Sequence, residues 1–237
     1  SKSWLSQKMA VSIDTPALDA FTFKVQGDLD STWPDEGWGI KNFLVRDVAT
    51  SYTGNAALTV EAGAGNVSVS GAMGSASALG VTDITGAAVS LSSGVALGSN
   101  KSLTVTNSGA SSISGAISGT GVTVTKEGAG SLTLSGASSY TGATNINAGV
   151  LKLGSAGSGS NSPLGTTAGA TTIADGAALD LVGYTLATAE PITISGAGVS
   201  GSGVIYNSAG TAATCSGDIA CAASSSVDAD IGCPCFS

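Results

Sequence analysis

Along most of this chain, apolar residues alternate with small polar ones in short runs that glycine interrupts. Leu132 and Leu134, Leu151 and Leu153, and Leu179 and Leu181 each stand two residues apart. That spacing puts both side chains of a pair on one face of a strand. It predicts strands over 57–61, 67–70, 88–91, 102–106, 122–125, 131–135, 144–147, 150–153, 171–174, 178–181, 191–195 and 203–206. A sandwich of hairpins would need longer strands and Asn-Gly or Asp-Gly turns, and Asp175-Gly176 is the one such pair between these strands. Short strands joined by Gly-containing turns instead predict an all-β, right-handed parallel β-helix. Stacked coils of roughly 20 residues bury one aliphatic core, and the stretch 51–214 accommodates about seven or eight of them.

Composition agrees with that reading. The 237 residues include 35 Gly and no His, with 10% charged and 5% aromatic residues. Val, Ile and Thr favour strands, and Gly supplies the positive φ that tight corners need. The regular aliphatics set the chain apart from disordered Gly/Ser-rich sequence.

The pattern changes near residue 50. Trp4, Trp33 and Trp38 precede it, with Phe21, Phe23 and Phe43 and half of the charged residues. The segment 21–25 alternates like a half-buried antiparallel strand, so 1–50 is expected to be a short antiparallel β segment, the end of a β-sandwich or a cap. Residues 215–237 hold all four cysteines, Cys215, Cys221, Cys233 and Cys235, and are expected to form a Cys-rich tail. An even, clustered set predicts disulfides in an oxidising compartment. The alternatives are thiols paired with another chain, or a Cys₄ zinc site whose C-x5-C-x11-C-x-C spacing lacks the usual C-x2-C knuckles. Ser1 to Gln7 has no starting Met and no apolar signal core, so the chain is expected to be processed or part of a longer polypeptide.

Chemistry is sparse. A net charge of −8 argues against nucleic acid, and no apolar run is long enough to span a membrane. Without His, a Ser-His-Asp triad is excluded. Asp175 and Asp180 are the closest carboxylates in the solenoid region and the place where a polysaccharide-active site would have to sit. Asp28, Asp30, Asp35 and Glu36 could offer oxygens to Ca²⁺, and no other cofactor or metal is expected. Trp33 and Trp38 could stack on sugars. Asn66 and Asn100 begin N-x-S sequons at turn-like places. Thr104-x-Thr106 and Thr123-x-Thr125, about one coil apart, raise an ice-binding alternative.

Two stretches carry resemblances. The segment 126–154, KEGAGSLTLSGASSYTGATNINAGVLKLG, resembles the β-strand repeat of bacterial autotransporter passenger domains. The matching positions are Lys126, Gly128, Gly130, Leu132, Leu134, Gly136, Tyr140, Gly142, Thr144, Ile146, Gly149, Leu151, Leu153 and Gly154. The resemblance implies a β-helix in a secreted or surface-displayed protein and no particular activity. The clustered cysteines depart from that family. The segment 27–47 is similar to the end of galactose-binding-like β-sandwich modules, through Asp35, Glu36, Trp38, Gly39, Ile40, Asn42 and Phe43.

The expectation is therefore a non-enzymatic structural component of an extracellular fibre, stalk or surface adhesin, as one part of a large cell-surface mosaic protein. Its β-helix would act as a rigid spacer, assembling with copies of itself or neighbouring surface modules. A carbohydrate-binding module is the alternative, ahead of a polysaccharide-active enzyme or an ice-binding solenoid.

Overall fold

The computed structural model of this chain describes residues 20–24, 57–75, 77–227 and 231–232. Nine strands form its longest sheet: β1 (Ala20–Lys24), β2 (Ala57–Glu61), β4 (Thr82–Gly86), β7 (Ser102–Asn107), β10 (Thr123–Glu127), β12 (Thr144–Ile146), β14 (Thr171–Ile173), β16 (Ile192–Gly196) and β19 (Ile219–Ser225). Seven form a second: β3 (Val67–Val69), β5 (Val89–Leu91), β8 (Ser111–Ile113), β11 (Ser131–Leu134), β13 (Gly149–Leu153), β15 (Ala177–Asp180) and β17 (Ile205–Tyr206). A third side carries the short pair β6 (Val95–Ala96) and β9 (Ile117–Ser118), and β18 (Ala213–Thr214) pairs with β20 (Ile231–Gly232). Sequence neighbours alternate between the first two sheets, and each strand pairs in parallel with the strand one coil away. That is a parallel β-solenoid. Among the described residues the only helical element is a 3₁₀ turn at Val199–Gly201.

The register shows why these residues stack. Leu58, Thr82, Leu103, Val124, Thr144, Thr171, Ile192 and Ile219 form one inward column of the nine-stranded sheet. Its steps are 24, 21, 21, 20, 27, 21 and 27 residues, which makes seven coils. All eight members are buried. In the facing sheet, Val67, Val69, Val89, Leu91, Ile113, Leu132, Leu134, Leu151, Leu153 and Leu179 supply the opposite wall of the core. Each fully buried Val, Leu or Ile contributes about 1.5–3 kcal/mol.

Two expectations change. Strand β1 does not enter the expected antiparallel pair: it runs parallel to β2, with Phe21 opposite Leu58, and so extends the solenoid sheet. At the other end, coil pairing continues past the expected boundary at Thr214, because β19 adds to β16 and Ile219 is buried in the core. Both ends follow the same rule: an alternating apolar segment prolongs an existing parallel ladder.

Candidate functional site

Three buried polar clusters lie in the middle and C-terminal coils. The first is built on β10, whose alternation sends Val124 and Lys126 inward. Lys126 therefore stands in a column between Val105 and Ile146 and has no exposed surface. Its stem fills the place of an aliphatic side chain. Its ammonium reaches the corner and donates to the carbonyls of Glu127 (2.7 Å), Gly128 (2.8 Å) and Ala148 (3.2 Å). All three N–H donors are used. Burial still lowers the Lys126 pKa to about 8, against the opposing pull of the Glu127 charge. One coil below, Asn107 fastens the same corner by donating from Nδ2 to the carbonyls of Gly109 (2.5 Å) and Ser131 (2.9 Å).

The second cluster crosses the interior where the third side meets the nine-stranded sheet. Thr144 Oγ1 donates to the Leu164 carbonyl at 2.9 Å, which uses its only hydrogen. Tyr140, fully buried, must then donate its hydroxyl to Thr144 Oγ1 at 2.6 Å. Burial pushes the Tyr140 phenol well above its ordinary range. Thr171 stacks on Thr144 in register and donates to Glu190 Oε1 at 2.8 Å. Glu190 is 1% exposed, and burial raises its pKa to about 7, with the Thr171 bond opposing. Its Oε2 and the nearby Thr188 Oγ1 have no hydrogen-bond partner among the described residues.

The third cluster lies on the outer side of the seven-stranded sheet. Asp180 follows Lys152 and precedes Tyr206 in one register column. Its Oδ1 accepts from the Val182 and Ser208 backbone N–H groups, each at 3.0 Å. Its Oδ2 accepts from Ser208 Oγ at 2.7 Å and lies 3.4 Å from the half-exposed Lys152 ammonium. The segment 207–211 folds over it, held by Asn207, which accepts from Gly183 and donates to Thr211. Asp180 has no exposed side-chain surface. Burial and the Asp180 charge raise the pKa of Tyr206.

Residues 124–153 match the family model of the passenger-associated-transport-repeat. The matched segment is the β10–β13 stretch, so the transport repeat supplies Lys126, Tyr140 and Thr144 of the clusters just described. In the solenoid the repeat is one coil and the start of the next. Its Lys closes a corner, its Leu pairs face the core, and its Tyr fills the third side. Comparisons with curated proteins and with solved structures gave no match.

The residues singled out in the sequence fall in several places. Asp175 is exposed at a corner, whereas Asp180 is enclosed on the outer side of the seven-stranded sheet, so the two do not face a common cleft. Asn66 and Asn100 are both exposed, and Asn66 Oδ1 accepts from the Ala88 N–H at 3.1 Å. Cys215 is buried on the third side and Cys221 is exposed on β19. Cys233, Cys235, Asp28, Asp30, Asp35, Glu36, Trp33 and Trp38 lie outside the described residues. The Thr-x-Thr pairs do not stack as their 19-residue separation suggests. Thr125 pairs with Thr104, Thr123 with Ser102, and Glu127 with Thr106. From Thr59 to Thr193 the outward column reads Thr59, Asp83, Thr104, Thr125, Asn145, Thr172 and Thr193, and Ala220 continues it. The pairing of Glu190 with Thr171 is not among the sequence expectations. The available signal was the inward alternation of Leu186, Thr188 and Glu190, a strand pattern with polar residues in apolar places.

Proposed function

We propose that this chain is a structural element of an extracellular fibre, stalk or surface adhesin, in which the solenoid is a rigid spacer and assembly element with no catalysis of its own. The observation that carries this reading is the inward column from Leu58 to Ile219, continuous through seven coils. At the usual strand spacing it gives a rod of roughly 34 Å. The transport-repeat match over 124–153 supports export to the surface. Asn66 and Asn100 are exposed, which supports their use as glycan acceptors in this reading. Copies of this chain and neighbouring surface modules are the proposed partners. Electron microscopy of native material with a label on the solenoid tests this. Labelled rods or filaments at the cell surface are expected. Compact, unattached monomers in the cell interior would overturn it.

A second reading has one observation in its favour. Five of the seven residues from Thr59 to Thr193 in the outward column are Thr, all partly or fully exposed on one sheet face. Regular hydroxyls and methyls at coil spacing suit a flat, ordered surface such as ice. Thermal hysteresis that disappears in T104K/T125K would support this use, and its absence in the parent protein would end it.

A further inference from the structure

Asp180 and Glu190 are both enclosed carboxyls, but their surroundings differ. Asp180 collects donors on both oxygens. Glu190 has Thr171 on one oxygen and, among the described residues, no partner on the other. We propose that Glu190 is a proton-operated lock on the C-terminal coils: with its proton the coil above closes over it, and without it that coil opens.

The geometry leaves few other ways to accommodate a charge. Below Glu190 lie Tyr140 and Thr144, and the Thr144 hydrogen is already given to Leu164. Beside it, Thr171 has given its only hydrogen. Above it, the backbone closes so tightly that a Cβ at Gly217 would overlap the Glu190 carbonyl oxygen. The coil above is tied down by Leu186 N–H to the Thr214 carbonyl (3.4 Å), Ile192 N–H to the Asp218 carbonyl (2.8 Å) and Ser216 Oγ to the Thr188 carbonyl (3.4 Å). Among the described residues, the titratable groups on the packed elements are Tyr140 from below and Cys215 and exposed Asp218 from above, none of them cationic. Among the described residues an ionised Glu190 thus has a single donor at a place where burial penalises its charge, and full hydration requires the upper coil to lift.

The sign follows from linkage. Burial raises the Glu190 pKa in the folded chain from 4.5 to about 7. The unfolded or opened state therefore releases its proton first as pH rises. The lock is intact below about pH 4.5, weakens through the interval, and has lost its full contribution above about pH 7.

Native-state hydrogen exchange from pH 5 to 8, corrected for the intrinsic rate, tests this at the Leu186 and Ile192 amides. The opening constant is expected to rise on the order of 50-fold in the wild type. E190Q, which keeps the shape and cannot ionise, is expected to show no such rise at these amides. The same rise in E190Q, or none in the wild type, overturns the proposal. Should E190Q fail to fold, the infrared carboxylic acid band of the wild type decides. A band present at pH 6 and gone by pH 8 supports the lock, and its absence at pH 6 overturns it.

Discussion

Gly165 lies directly against the ring of Tyr140, one coil away, and a methyl group in place of its hydrogen would sit 2.7 Å from Tyr140 Cε2. The contact closes the third side over the Tyr140–Thr144–Leu164 hydrogen bonds. Gly165 also has φ of 94°, which an L side chain adopts only with strain. Gly165→Ala combines overlap with backbone strain and is expected to cost about 2–4 kcal/mol. Tyr140→Phe keeps the ring, loses one hydrogen bond, and is expected to cost about 1 kcal/mol. Thermal melts of the two variants give the comparison, and equal losses would mean that the ring contact matters no more than the hydroxyl.

Lys126 is expected to respond to both substitution and pH. Lys126→Met fills the same column but leaves three corner carbonyls without their donor, at an expected cost of about 1–3 kcal/mol near neutral pH. The folded pKa is about 8, below the ordinary 10.5, so between those values the unfolded chain binds the extra proton. Wild-type stability, measured relative to Lys126→Met, should accordingly increase from pH 8 to pH 10. Urea melts of both proteins across that range would reveal it, and a flat difference would show that the amine is not buried in solution.

Val182 occupies a left-handed conformation, with φ of 47°, and Gly183 follows at 77°. With Tyr184 N–H donating to the Leu181 carbonyl at 2.8 Å, this is a type I′ turn with a β-branched residue where Asn or Gly is preferred. Val182→Asn should relieve about 1 kcal/mol of strain. For a chain of this size the melting temperature should rise by about 2–4 °C. Differential scanning calorimetry measures this directly, and a fall would mean that the Val side chain packs more than its partial exposure suggests.

Asp180 anchors a loop, and its partners are unequal. Lys152 is half-exposed, so Lys152→Ala is expected to cost less than about 1 kcal/mol. Asp180→Ala strands the Ser208 and Val182 N–H groups and should cost about 2–4 kcal/mol. Limited proteolysis should then cut within 207–211 in Asp180→Ala and spare Lys152→Ala. Equal cleavage of the two would show that the salt bridge, not the backbone hydrogen bonds, holds the loop.

Much of the solenoid is legible because the hydrophobic effect writes itself with a period of two. Leu132, Leu134, Leu151 and Leu153 announce their strands, and these form β11 and β13. Strands whose inward positions are polar are harder. Thr82–Gly86 has one large apolar residue, and Ser111–Ile113 begins with a buried Ser, so neither stands out as a strand in the sequence. The polar clusters are illegible for the same reason. Lys126 is visible as a motif residue, yet a Lys in an alternating strand reads as an outward one until its corner carbonyls are in view. Asp180 depends on Ser208, 28 residues away, and coil lengths of 20 to 27 residues defeat any fixed offset. The Thr-x-Thr pairs fail on this point, because their 19-residue separation falls two residues short of the 21-residue step between β7 and β10.

The unequal coils carry one more consequence. The 27-residue step from Thr144 to Thr171 keeps Ile146 opposite Ile173, and the one from Ile192 to Ile219 keeps Ile194 opposite Cys221. The additional residues leave the faces entirely. One group bulges around 155–166 on the third side, and another around 197–203 at a corner between the two main sheets. Length is thus free at the edges and, among the described pairings of the longest sheet, enters the wall only as the bulge in β19 between Cys221 and Ser225. A lineage of such chains can acquire new surface there, loop by loop, while the beam underneath keeps the same cross-section.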